Sequence, residues 1–181
     1  MIMKITTGLV RLSYAHLLEP GTMPGGADKY SGSFIIPKSD KRGVAILEDA
    51  INTIKNDKDA IAKWGGKNTG IRIPLRDGDT DRPEDAAYAD SYFFNANASV
   101  DHKPKVFNRD RVEIADPEEI YSGCWVQAVV SLYPYNSNGN KGIGVGLLAV
   151  RKIKDGDSLG GTVVSENDFD DSLLGDVEDL L

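Results

Sequence analysis

Cys124-Trp-Val-Gln-Ala-Val-Val-Ser-Leu-Tyr-Pro-Tyr135 alternates with a period of two. Cys124, Val126, Ala128, Val130 and Leu132 fall on one side; Trp125, Gln127, Val129, Ser131, Tyr133 and Tyr135 fall on the other. This is the period of a β-strand with one face toward a core and a mixed face turned outward. Asn136-Ser-Asn-Gly-Asn140 follows, a cluster of turn formers that signals a hairpin. Residues 142–154 then return as a second long strand, and Asp155-Gly156 turns the chain again.

Upstream, residues 4–14 are β-prone and predict a first strand. Residues 20–26 form a glycine- and proline-rich loop. Residues 30–37 predict a second strand, stopped by Pro37. Ser39 or Asp40 is placed to cap one principal helix over about 41–64, because Val44, Leu47, Ile51, Ile54 and Ile61 recur at helical spacing before Gly65-Gly66. Residues 92–100 predict a third strand, and Val106-Phe107 a short extended piece. Several strands with one helix point to a mainly β protein, a small barrel or curled sheet.

The chain has 181 residues with 21 Lys+Arg and 28 Asp+Glu, a formal net charge of −7. Residues 165–181 hold Glu166, Asp168, Asp170, Asp171, Asp176, Glu178 and Asp179 and no base, so residues 1–164 are neutral overall. The acidic balance therefore does not exclude a nucleic-acid partner for the body. It divides the chain into a domain over 1–164 and an acidic C-terminal tail over 165–181. The tail's like charges favour a solvated, flexible segment whose apolar residues are free to dock on a partner. A short terminal helix packed on the body is the alternative. No apolar run approaches the roughly 20 residues needed to cross a bilayer, and the start lacks a signal-peptide pattern, so no membrane association is expected. A single cysteine, Cys124, suits a reducing, cytoplasmic setting.

Catalytic chemistry finds little support. His16 and His102 have no His or Cys partner at metal spacing. The acid-rich stretch from Asp77 to Asp85 fails as an EF-hand loop, with Arg82 where glycine is required and Tyr88 where glutamate is required. It reads as a hydrophilic loop, with a two-metal nuclease as the weakest alternative. Neither a metal nor another cofactor is expected, and the chain is not expected to be an enzyme. Gly142-Ile-Gly-Val-Gly146 lacks the Gly-Lys-Ser/Thr ending of a phosphate loop. Its glycines either let the strand bend or let another surface approach it.

Aromatic residues and cations are more informative. Trp125, Tyr133 and Tyr135 share a strand face; so do Tyr30, Phe34 and Lys38, and so do Tyr92 and Phe94. Lys103, Lys105 and Arg109, and further on Arg151 and Lys152, flank these segments. Aromatic platforms among cations are what single-strand binding needs, since bases stack on rings and lysine or arginine neutralises phosphates. The competing reading places most of these rings in the core.

Several stretches in order carry a resemblance. They are Tyr30-Ser-Gly-Ser-Phe-Ile-Ile-Pro-Lys38, Pro74-Leu-Arg-Asp-Gly-Asp79, Tyr92-Phe-Phe-Asn-Ala96, Glu119-Ile-Tyr-Ser-Gly-Cys124, Tyr133-Pro-Tyr-Asn136 and Lys154-Asp-Gly156. Over about residues 4–164 the chain resembles a bacteriophage single-stranded-DNA-binding family, long catalogued as a domain of unknown function. The resemblance implies an OB-fold barrel that coats single-stranded DNA in phage replication or recombination, in the host cytoplasm. It places DNA contacts around Tyr30 and Lys38, on the Tyr92/Phe94 strand, around Lys105 and Arg109, on the Trp125/Tyr133/Tyr135 face and at Arg151 and Lys152. It also implies that the tail, with Asp168, Phe169, Asp170, Asp171, Asp176, Glu178 and Asp179, recruits replication or recombination proteins. Two departures stand out: the chain ends Leu180-Leu181 rather than on an aromatic, and the helix follows the second strand, earlier than in a standard OB barrel. A homo-oligomer is left open. The runner-up is a phage virion or assembly protein whose β domain binds protein.

Overall fold

Strands β7 (Trp125–Ser137) and β8 (Asn140–Lys154) form the expected hairpin, paired antiparallel from Trp125 opposite Lys154 to Ser137 opposite Asn140. Its turn sits on Asn138 and Gly139, both with positive φ (52° and 89°), the left-handed pair that matches the twist of a tight hairpin. The computed structural model describes residues 1–22 and 26–160. The tail, with all its site residues, and the boundary at 164/165 lie outside them.

The remaining strands are β1 (Met3–Thr6), β2 (Val10–Gly21), β3 (Lys29–Pro37), β4 (Arg76–Asp77), β5 (Ser91–Ser99) and β6 (Lys105–Phe107). Five of the eight strands close a circuit. β2 pairs with β3, β3 with β5, and β7 with both β2 and β8, all antiparallel, while β5 meets β8 in parallel at Asn97 opposite Gly146. A five-stranded barrel with one parallel closure is the OB topology, with β3 and β5 as its second and third strands. β1 extends β7 and β6 extends β8.

The inward side of β7 is apolar as its alternation predicts: Cys124, just ahead of the strand, and Val126, Ala128, Val130 and Leu132 are all fully buried. They pack with Val10, Leu12, Phe34, Ile36, Phe94 and Val150. Each large apolar side chain so buried contributes roughly 1.5–3 kcal/mol relative to exposure.

Two sequence expectations change. The first strand is two strands, β1 and β2, separated at Thr7-Gly8-Leu9, where Thr7 accepts through Oγ1 from the Ala128 N–H. The principal helix is likewise two helices, α1 (Lys41–Lys55) and α2 (Lys58–Lys63). The break lies at Asn56-Asp57, because the Asp57 carboxylate accepts from the Ala60 N–H and starts a new helix. Asp40 caps α1 in the same way, accepting from Gly43. Val44, Leu47, Ile51 and Ile54 bury against the barrel. Trp64, at the end of α2, is buried and donates its indole N–H to the carbonyls of Tyr135 and Gly142, which ties the helices to the hairpin. A short helix α3 (Gly78–Asp81) and a 3-10 turn (Ala86–Tyr88) precede β5.

Candidate nucleic-acid interface

The outer face of β2, β3 and β5 carries an open concavity of about 460 Å³. Its walls are Tyr14, His16, Lys29, Ser31, Gly32, Ser33, Arg82, Asn95, Ala96 and Asn97. The cross-strand register makes its floor: Ser33 lies opposite Asn95, Ser31 opposite Asn97 and Lys29 opposite Ser99. At one end the same face turns apolar, where Ile35 and Phe93 pack under Tyr88. The Tyr88 hydroxyl donates to Ser33 Oγ at 2.9 Å, and Tyr88 and Phe93 meet edge to face at 4.9 Å.

One wall of this groove depends on a bulge in β2. Ser13 pairs with Ser33 but His16 pairs with Ser31, so β2 carries one extra residue between them. Tyr14 takes up the irregularity with φ of 47°, and the residue is 58% exposed. The bulge also switches the strand's parity: Val10 and Leu12 point inward before it and Leu17 after it, which turns His16 outward. The His16 ring lies against Gly21, where a Cβ would approach it to 2.9 Å. Among the described residues no carboxylate belongs to this wall, whereas four other concavities of 300–540 Å³ include Glu19, Glu48, Asp59 or Glu113.

The structure divides the site residues expected from sequence into three groups. Tyr30, Phe34 and Phe94 belong to the core and present no open ring. Phe34 and Phe94 are cross-strand partners stacked at 5.1 Å, because β3 and β5 both turn this side inward. The expectation that these rings share an exposed face is thereby corrected. Tyr92 is half-buried with the Lys38 ammonium 5.1 Å from its ring centre.

In the second group, cations are engaged within the chain. Lys38 bridges Asp79 at 2.8 Å and Asp77 at 2.9 Å. Hydrogen bonds donated to these carboxylates hold the Lys38 ammonium above the ordinary lysine range, and Lys38 in turn holds both carboxyls below theirs. Arg151 donates to the Arg109 carbonyl through Nε and Nη2. Lys152 bridges Asp155 at 2.7 Å and lies over Tyr121. Burial opposes the charge on Lys152, but Asp155 outweighs it and the ammonium is held above its ordinary value. The acid-rich loop is likewise organised by its own contacts: Asp77 caps α3, Asp79 also accepts from the Asp90 N–H, Asp81 pairs with Arg76 and Asp85 caps the 3-10 turn.

The third group lies outward. Lys103, Lys105 and Arg109 are exposed, and among the described residues they enter no ion pair. Trp125 is half-buried, with Arg11 and Lys154 at 5.9 and 5.4 Å from its ring and Gly156 against its edge. Tyr133 and Tyr135 lie over the glycines of β8: a Cβ on Gly144 would stand 2.5 Å from Tyr133 Cζ, and one on Gly142 would stand 2.9 Å from the Tyr135 hydroxyl. The close approach that alternating glycines permit is thus made by tyrosines of the same hairpin.

Sequence reasoning missed Tyr14, His16, Lys29, Arg82, Asn95 and Asn97. Asn95 and Asn97 alternate with buried Ala96 and Ala98, a period-two signal that was available. Tyr14 and Arg82 carried none, because a bulge and a loop-to-sheet contact are tertiary events.

An OB barrel with an open polar groove on its second and third strands belongs to the class of barrels that take oligonucleotides or oligosaccharides on that face. The comparisons agree. The chain belongs to the Enterobacter phage Enc34 ssDNA-binding protein family, which it matches over residues 3–181. It is 35% identical to protein p50 of Acyrthosiphon pisum secondary endosymbiont phage 1, with 99% of each chain covered. It superposes on the single-stranded DNA-binding protein of bacteriophage Enc34, in complex with ssDNA, with a TM-score of 0.73 at 30% identity, covering 87% of this chain and 89% of that one. The fold is shared with gp2.5, a single-stranded DNA-binding protein encoded by bacteriophage T7, at a TM-score of 0.62 and 16% identity over 93% of each chain.

Proposed function

We propose that this protein binds single-stranded DNA with little sequence preference, as a non-enzymatic component of phage DNA replication or recombination in the host cytoplasm. The observation that carries this is the open groove on β2, β3 and β5, polar and without a carboxylate among the described residues, on the face an OB barrel offers to oligonucleotides. Serine and asparagine both donate and accept hydrogen bonds, so a floor of Ser31, Ser33, Asn95 and Asn97 accommodates the edges of any base. Lys29 lies on the same face, and Lys103, Lys105 and Arg109 supply further exposed charge for phosphates. Membership of a single-strand-binding family supports the same reading. The acidic tail is assigned to recruitment of replication or recombination proteins, and to competition with DNA for cationic surface. Titration of labelled oligo-dT against a duplex of equal length, at two salt concentrations, tests the central claim. Tighter, salt-sensitive binding of the single strand is expected; equal affinity for both, or none for either, overturns it.

A further inference from the structure

Arg82 stands apart from the other cations near the groove. Its guanidinium lies 5.5 Å from the centre of the Phe93 ring and 5.9 Å from that of Tyr88, and Nε is shielded from solvent without a hydrogen-bond partner. Among the described residues it enters no ion pair, while its loop neighbours Arg76 and Lys38 are both bridged to aspartates. The terminal nitrogens of this guanidinium are not among the buried atoms and make no hydrogen bond to the described residues, so they remain as charge-assisted donors for an external anionic acceptor. Tyr14 lines the same groove, with a positive φ unusual for a bulky residue. Its ring is exposed, and the aromatic pairs of the described residues, Phe34–Phe94 and Tyr88–Phe93, do not include it.

We propose that Tyr14 and Arg82 form a nucleotide clamp: a base of the bound strand stacks on the Tyr14 ring, and a backbone phosphate of the same strand pairs with the Arg82 guanidinium. This rests on the single-strand-binding reading and adds to it two residues that grip the strand. A base must leave a duplex to present its face to an exposed ring, so the clamp favours unpaired strands. The polar floor between them, Ser31 and Ser33 with Asn95 and Asn97, contacts base edges without requiring one base.

The clamp makes separable predictions. Tyr14→Ala weakens oligo-dT binding about 5- to 160-fold, the range that one stacking contact supports, while Tyr14→Phe keeps it. Arg82→Ala removes one phosphate contact and so reduces the slope of log affinity against log salt by about 0.7; Arg82→Lys, which keeps the charge, retains most of that slope. Tyr14→Ala leaves the slope unchanged. Full-length proteins are compared by fluorescence anisotropy over a salt series, with thermal melts as a folding control; Arg82→Gln replaces Arg82→Ala if the latter does not fold. If wild type binds oligo-dT but Tyr14→Ala binds within twofold of it, or the Arg82 variant keeps the full slope, the clamp is wrong and the single-strand reading stands. If wild type itself fails to bind, that reading falls and the clamp with it.

Discussion

Lys38 illustrates how a residue's role depends on what the fold brings near it. In the sequence it follows an aromatic strand and resembles a phosphate-binding lysine. In the structure it holds Asp77 and Asp79 and covers Tyr92, so it organises the loop before β5. This has a pH signature. Asp77 and Asp79 are held below the ordinary value of 3.8, chiefly by hydrogen bonds from Lys38. A carboxylate depressed in the folded state adds stability that is complete above its unfolded value and is lost as pH falls through the folded one. Wild type is therefore expected to lose more thermal stability than Lys38→Met as pH falls from about 5 to about 2. The raised Lys38 value adds no pH dependence near neutrality, because that contribution is lost only as pH rises above the lysine range. Superimposable melting profiles for the two proteins would remove Lys38 as the organiser of this loop.

Among the elements, the β7–β8 hairpin was the most legible in sequence because its alternation, turn residues and length agree. Its glycines were ambiguous: the same residues would suit a bend or a foreign surface. Packing resolves this in favour of Tyr133 and Tyr135, which occupy the space a Cβ would take. Gly144→Val is expected to displace Tyr133 and lower stability by about 1–3 kcal/mol, the usual cost of overpacking, measured by urea unfolding. Unchanged stability would mean that the Tyr133 ring is not held against β8. The β2 bulge was invisible to a period-two pattern, because one extra residue does not alter composition and becomes apparent only against its partner strand. The helical break escaped for a related reason: the apolar spacing continues from Ile54 to Ile61, and only the Asp57 cap interrupts the backbone.

At the scale of the whole molecule, the −7 charge resolves into a neutral body and an acidic tail. Removing residues 165–181 takes away seven acids and leaves 21 charges of each sign. If the tail competes with DNA for cationic surface, this truncation tightens oligo-dT binding, and more strongly at low salt, where charge competition is least screened. Identical affinities for the two proteins at low salt would reject the competition. In the barrel Asp77, Asp79, Asp81 and Asp155 are neutralised by Lys38, Arg76 and Lys152, while the groove wall combines Lys29 and Arg82 with no carboxylate among the described residues, so the cations of a body neutral overall are locally unopposed there.

Local patterns in the chain were enough to establish a mainly β body, the long hairpin with its inward and outward faces, a helix cap at Ser39 or Asp40 and the charge division. Each depends on residues adjacent in sequence, at a period of two or 3.6 or in one run of like charge. The tertiary structure alone decided which rings are open. Phe34 and Tyr14 are both strand aromatics, but Phe34 stacks on Phe94 inside the barrel, while a bulge sets Tyr14 at the rim of the groove. Arg82 took its place in the same way, when the loop before β5 folded it over Phe93 and Tyr88. Exposure and pairing depend on which strands become neighbours, and that is settled only when the barrel closes.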